Sequence, residues 1–151
     1  MNLNDAATLG GLLFGSVGLT LGVLNYLRDR IKVDVLLQWE MATWGTAAAF
    51  GAQCGLVTIT NTGKRPVFLS HVALTVPKGH EASHLLLGET IQGQRLDEGA
   101  APLIYPVKYS DDLKVYANDW KKVRAQVSDS TGKVWKSPRF KRLNKPSWAA
   151  Q

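Results

Sequence analysis

Ile31-Lys32-Val33-Asp34-Val35-Leu36-Leu37-Gln38-Trp39-Glu40-Met41 decides the fold. Ile31, Val33, Val35, Leu37, Trp39 and Met41 alternate with Lys32, Asp34, Gln38 and Glu40, and only Leu36 breaks the pattern. Side chains of an extended chain point to opposite faces in turn, so this alternation predicts a strand with one buried and one wet face. An apolar face of that length needs a second layer to cover it.

The downstream sequence supplies that layer. Ala42 to Gly55, rich in Gly and Ala, reads as a loop or weak strand, and Leu56 to Thr60 as a second strand. Asn61-Thr62-Gly63-Lys64-Arg65-Pro66 is a turn, because Asn and Gly tolerate positive φ and Pro stops the ladder. Val67–Leu69 and Val72–Val76 form one strand with a bulge near Ser70-His71, ended by Pro77-Lys78-Gly79. Leu85–Leu87 is short and apolar, and Leu96-Asp97-Glu98-Gly99 reads as a turn. Leu103, Tyr105, Val107 and Tyr109 alternate again. Asp111-Asp112 is placed to cap a helical turn running to Ala117. Val123, Ala125 and Val127 mark a strand, Asp129-Ser130-Thr131-Gly132-Lys133 a hairpin, and Val134–Ser137 a last strand before Pro138. About seven short strands with regular turns and little helix predict a mainly β chain, an antiparallel sandwich of two sheets.

Upstream of the first strand the chain changes character. Leu9 to Leu27 carries no charged residue, and at 1.5 Å per residue it spans roughly 28 Å, the thickness of a bilayer's hydrocarbon core. A core helix would carry charges on its outer side. A cleaved signal peptide would carry basic residues before the apolar run, where only Asp5 is charged. The expectation is therefore a single transmembrane helix. Arg28, Arg30 and Lys32 follow it, and the positive-inside rule places them in the cytoplasm. That orientation puts the N-terminus outside and the β domain inside, at the inner (plasma) membrane. One cysteine, Cys54, excludes an intrachain disulfide and agrees with a reducing compartment. The expected division is an anchor at 1–30, a β domain at 31–143 and a basic, polar tail at 144–151.

Ala7, Gly11, Gly15, Gly18, Gly22 and Asn25 project within an arc of about 80° on one helix face. Small residues let helix backbones approach closely, and an intramembrane Asn bonds across the contact, so this face predicts self-association or a partner membrane protein. A pore built on the same glycines is the membrane-active alternative.

Net charge is +6, and its distribution is uneven. Residues 1–129 hold 12 Lys/Arg and 12 Asp/Glu, a balance of zero, so the excess comes from the six basic residues Lys133, Lys136, Arg139, Lys141, Arg142 and Lys145. A solvated edge strand guarded by Lys is one account of this charge. An anionic membrane surface is the other, and on it Arg28, Arg30, Lys32, Lys141, Arg142 and Lys145 are the expected headgroup contacts. Trp120, Trp135 and Trp148 among basic residues fit a membrane interface better than nucleic acid.

The run Val57-Thr58-Ile59-Thr60-Asn61-Thr62-Gly63-Lys64-Arg65-Pro66-Val67, together with Leu96-Asp97-Glu98-Gly99 and Asp129-Ser130-Thr131-Gly132-Lys133, resembles small uncharacterised bacterial proteins. Those proteins have a short membrane helix, a basic collar and an immunoglobulin-like β domain. The resemblance covers most of the chain and implies that architecture. Its motifs are turns, and turns carry no chemistry.

One motif does suggest chemistry. His80-Glu81-Ala82-Ser83-His84 matches the H-E-x-x-H of zinc hydrolases, which needs both histidines on one helix face and a third ligand. Gly79 and Gly88 leave barely two turns for such a helix, and no histidine follows His84. Cys54 has no activating base in its sequence neighbourhood. The reading is non-enzymatic, with no catalytic residue, metal or cofactor assigned: a membrane-anchored interaction module.

Overall fold

The computed structural model describes residues 3–42, 53–87, 93–140 and 144–150. Helix α1 (Leu3–Arg28) is followed by strands β1 (Val33–Ala42), β2 (Gln53–Asn61), β3 (Val67–Thr75), β4 (His84–Leu86), β5 (Gln94–Leu96) and β6 (Leu103–Lys108). Helix α2 (Asp111–Lys114), a 3-10 helix (Ala117–Lys122), β7 (Arg124–Asp129), β8 (Val134–Lys136) and helix α3 (Ser147–Ala150) complete the chain.

The strands form two antiparallel sheets. One has the order β1-β2-β6; the other has β4-β3-β7-β8, with β5 also on β3. Both β5 and β4 lie along the same strand, since Val67–Leu69 pair with β5 and Ala73–Thr75 with β4. The alternation of Ile31–Met41 has its expected outcome. Val33, Val35, Leu37 and Trp39 are buried, while Asp34, Leu36, Gln38 and Glu40 face out. These four join Val57 and Ile59 of β2, Leu69, Val72 and Leu74 of β3, and Ala125 and Val127 of β7 in one core shared by both sheets. Each fully buried Val, Leu or Ile contributes about 1.5–3 kcal/mol of transfer free energy, so β1 is held chiefly by this face.

Gly55 shows how tightly neighbouring strands of the first sheet pack. A Cβ there would fall 2.6 Å from two ring atoms of Trp39, so the tryptophan occupies the space that a side chain would need. The expected bulge of β3 is present, where the register with β7 shifts between Leu69 and His71. The hairpin from β7 to β8 turns on Asp129. Its Oδ1 accepts bonds from Thr131 N (2.9 Å), Thr131 Oγ1 (2.7 Å) and Lys133 N (2.9 Å). Burial raises the Asp129 pKa, but the bonds from Thr131 and Lys133 outweigh it and leave the carboxyl below its ordinary range.

Several expectations need correction. Leu96, expected to open a turn, instead ends strand β5, for which the sequence gives no expectation. The strand is short, and only Leu96 within it is buried, so its sequence carries no periodic signal. The cap of α2 is Ser110 rather than the Asp pair, and Asp111 instead pairs with Lys114 at 2.9 Å. The segment 144–151 is not simply a polar tail, because Trp148 and Ala149 lie in the core. The Trp148 ring packs 5.3 Å from that of Trp39, and Ser147 N donates to Glu40 Oε1 at 2.6 Å. Trp120 is buried too, 5.9 Å from Phe140, so neither Trp120 nor Trp148 is free to sit in a membrane interface. Trp135 is half-buried. The stretch 43–52, within the part read as a loop or weak strand, and Gly88 lie outside the described residues.

Glu40 makes the join to α3 possible. Its φ of 60° is uncommon for a residue with a side chain, and it sits where the β1–β2 register shifts. Its backbone N donates to the Tyr109 hydroxyl at 2.9 Å, and its carboxylate receives Ser147. Burial pushes the Tyr109 pKa up to about 12; the backbone N–H of Glu40 acts against it and the Glu40 carboxylate with it, so the phenol keeps its proton.

Candidate functional site at the helix–domain junction

From Gly10 to Arg28, α1 is long and apolar enough to cross a membrane, and none of that span is buried against the domain. Phe14 is 83% exposed and Leu19 72%. The hydroxyls of Ser16 and Thr20 donate to helix carbonyls at 2.9 and 2.8 Å, so neither needs water. A Cβ added at Gly11, Gly15, Gly18 or Gly22 would meet nothing within 4 Å, and no neighbour among the described residues accounts for these glycines. Asn25 is exposed near the same helix end. Ala7 belongs to α1, but its side chain is outside the described residues.

The helix joins the domain through a short, well-bonded linker. Lys32 O accepts bonds from Thr62 N (2.9 Å) and Gly63 N (3.0 Å), which lays the β2–β3 turn along residues 30–32. A Cβ on Gly63 would fall 2.5 Å from both Arg30 O and Lys32 N, so only glycine lets these backbones meet. Asn61 organises the turn from within: its Nδ2 donates to Arg65 O (2.8 Å) and Leu96 O (2.9 Å), and its Oδ1 accepts from Gly63 N (2.9 Å). Arg65, placed by that turn, donates through Nη2 (2.6 Å) and Nε (3.1 Å) to Asp29 Oδ2.

Strand directions bring other charges to the same end. Strand β1 runs away from α1 and β2 returns, so the β2–β3 turn lies at the helix end. Strand β7 is antiparallel to β3, which starts there, so the β7–β8 hairpin lies there too. Tyr26, Asp29, Arg30, Ile31, Arg65 and Lys133 consequently line one cleft of about 230 Å³. The Arg30 guanidinium lies over the Tyr26 ring, 5.3 Å from its centre.

The sequence-derived headgroup residues divide. Arg28, Arg30 and Lys32 stand at the junction, exposed. Lys145 does not join them. It neighbours Ser147, which is bonded to Glu40, seven residues and about 23 Å along β1 from Val33. Lys141 and Arg142 lie outside the described residues. Arg65 and Lys133 stand at the junction beside Arg30 and were not named as headgroup contacts from the sequence, because their turns read as marks of fold alone.

The remaining chemical candidates are weaker. His80 lies in a β-bridge with Lys78, Glu81 and Ser83 are bends, and His84 opens β4, so the H-E-x-x-H residues do not form the helical face a zinc hydrolase uses. The His80 ring packs against Tyr116 at 4.7 Å, and Glu89, a carboxylate near the motif, is outside the described residues. Among the described residues no group of three His, Cys, Asp or Glu side chains is gathered for a metal. Ser128 Oγ lies 2.8 Å from His71 Nδ1, a hydroxyl–imidazole contact. The nearby Asp129 Oδ1 is committed to its own turn and does not orient that ring. Cys54 is buried, with Sγ 3.6 Å from Met41 O. No known protein family, curated protein or solved structure matches the chain.

Proposed function

We propose that the chain is a single-pass membrane protein whose β domain is a non-enzymatic interaction module held against the bilayer. The observation that carries this reading is the exposure of the whole Gly10–Arg28 span beside a domain whose core closes without it. Apolar side chains such as Phe14, Leu19 and Leu21 need a nonpolar surrounding, which a bilayer supplies. Arg28, Arg30 and Lys32 favour a cytoplasmic domain at the plasma membrane of a bacterium, with the N-terminus outside.

The domain is proposed to be immunoglobulin-like, as in the small bacterial proteins it resembles. The strand order supports this. With β1, β2 and β6 lettered A, B and E, and β3, β7 and β8 lettered C, F and G, the sheets have the A-B-E and C-F-G orders of that fold. On the outer face of the first sheet, Leu36, Thr58 and Ile104 are aligned across the three strands, and Leu36 and Ile104 are 47% and 59% exposed. This face is the proposed contact for a protein partner.

The small-residue face of α1 joins copies of the chain in this reading, because glycines with open space around them suit a close helix neighbour. Gly15→Leu is expected to weaken association of the full chain in neutral detergent by about tenfold or more, measured by sedimentation equilibrium. An unchanged oligomeric state would remove the packing face from the account.

A further inference from the structure

We propose that the cleft between α1 and the β domain is a binding site for a phosphate-bearing anion, and that its occupant is the head group of an acidic phospholipid. This deepens the membrane-anchor reading and rests on it for the source of the ligand. The site itself rests on what the fold gathers. Arg30 comes from the linker, Arg65 from the β2–β3 turn and Lys133 from the β7–β8 hairpin, and all three line the same cleft. Asp29 is the single carboxylate there, and it is engaged by Arg65. Three cations against one anion leave the cleft at +2. Among the described residues no carboxylate forms a salt bridge with Arg30 or Lys133. The Asp129 carboxylate attracts Lys133 from its own turn, and the Lys133 ammonium lies over the Trp135 ring, 5.1 Å from its centre. Like charges drawn together with too few counterions repel, and a bound phosphate offsets that repulsion with charge-assisted hydrogen bonds.

Geometry favours a lipid over a soluble ion. The cleft opens at the end of the apolar span, where Tyr26 is 69% exposed. Aromatic side chains are favoured at that depth, level with the phosphates of the bilayer. The Arg30 guanidinium stacked on Tyr26 keeps its N–H edge available to an oxygen acceptor. Gly63 and Asn61 fix Arg65 relative to the linker, so the charges are placed before any ligand arrives.

The test uses the full chain in neutral detergent micelles, with phosphatidylglycerol, phosphatidylcholine and inorganic phosphate as probes and retained lipid counted by native mass spectrometry. Wild type is expected to retain phosphatidylglycerol in preference to phosphatidylcholine. Arg30→Gln with Lys133→Gln should weaken retention about 25-fold, at about fivefold per charge. Neither residue is in the core, and circular dichroism verifies that the variant is folded. Asp29→Asn removes the one negative charge and should tighten retention about fivefold, a gain that a structural role for these residues would not produce. Lys121→Gln with Lys122→Gln, beyond the far end of β7, should change nothing. Displacement of the lipid by millimolar phosphate, with the same dependence on Arg30 and Lys133, would support the phosphate site and overturn the lipid as its occupant. Equal retention of both lipids, or indifference to all three cleft substitutions, would overturn the site. The membrane anchor is tested separately by extraction, so loss of this site leaves that reading standing.

Discussion

Trp148→Ala is expected to destabilise the β domain by about 3–5 kcal/mol, the cost of emptying a buried tryptophan site. Trp148 is 2% exposed, and its ring lies 5.3 Å from that of Trp39, itself central to the buried face of β1. Total stability of a small domain is about 5–15 kcal/mol, so this one change removes a large share of it. Urea unfolding of the full chain in detergent, followed by circular dichroism, measures the effect. A loss under about 1 kcal/mol would mean that residues 144–151 are the dispensable polar tail that their sequence suggests.

Asn61→Ala is expected to cost about 2–4 kcal/mol. Asn61 is 5% exposed and makes three hydrogen bonds, to Arg65 O, Leu96 O and Gly63 N. Alanine takes the amide donor from the Arg65 and Leu96 carbonyls, while Gly63 N keeps its bond to Lys32 O; each unsatisfied group costs about 1–3 kcal/mol before relaxation. Asn61→Asp should do no better. It keeps the acceptor for Gly63 N but sets a carboxylate oxygen against two carbonyls. Both variants should also disturb Arg65, so their phosphatidylglycerol retention should fall along with the urea midpoint. An alanine variant with unchanged stability would show that the turn is held by its glycine and proline alone.

The parts of the fold legible in the sequence are those with a local signal. The strand at Ile31–Met41 was legible because one face is buried and the other wet, which leaves a two-residue period. The Asn61–Pro66 and Asp129–Lys133 turns were legible because Asn, Gly, Pro and Asp each have a backbone reason to be there. Gln94-Arg95-Leu96 gave no such signal, with one buried residue. Trp148 was misread because Lys145, Pro146 and Ser147 precede it in sequence, whereas in space its ring packs on that of Trp39. The cleft was half legible. Arg30 follows the span directly, but Arg65 and Lys133 reach it only through the directions of β2 and β7. His80 and His84 mark the opposite case, a motif complete in sequence whose residues the fold places in bends and strand ends and not on a helix.

Alkaline carbonate extraction of membranes from expressing cells tests the central claim most directly. The full chain is predicted to stay in the membrane pellet. A chain lacking residues 3–28 is predicted to appear in the supernatant with a cooperative unfolding transition, because the core closes without α1. A full chain that extracts into the supernatant, or a deleted chain that cannot fold, would contradict the account and make α1 part of the domain's own structure.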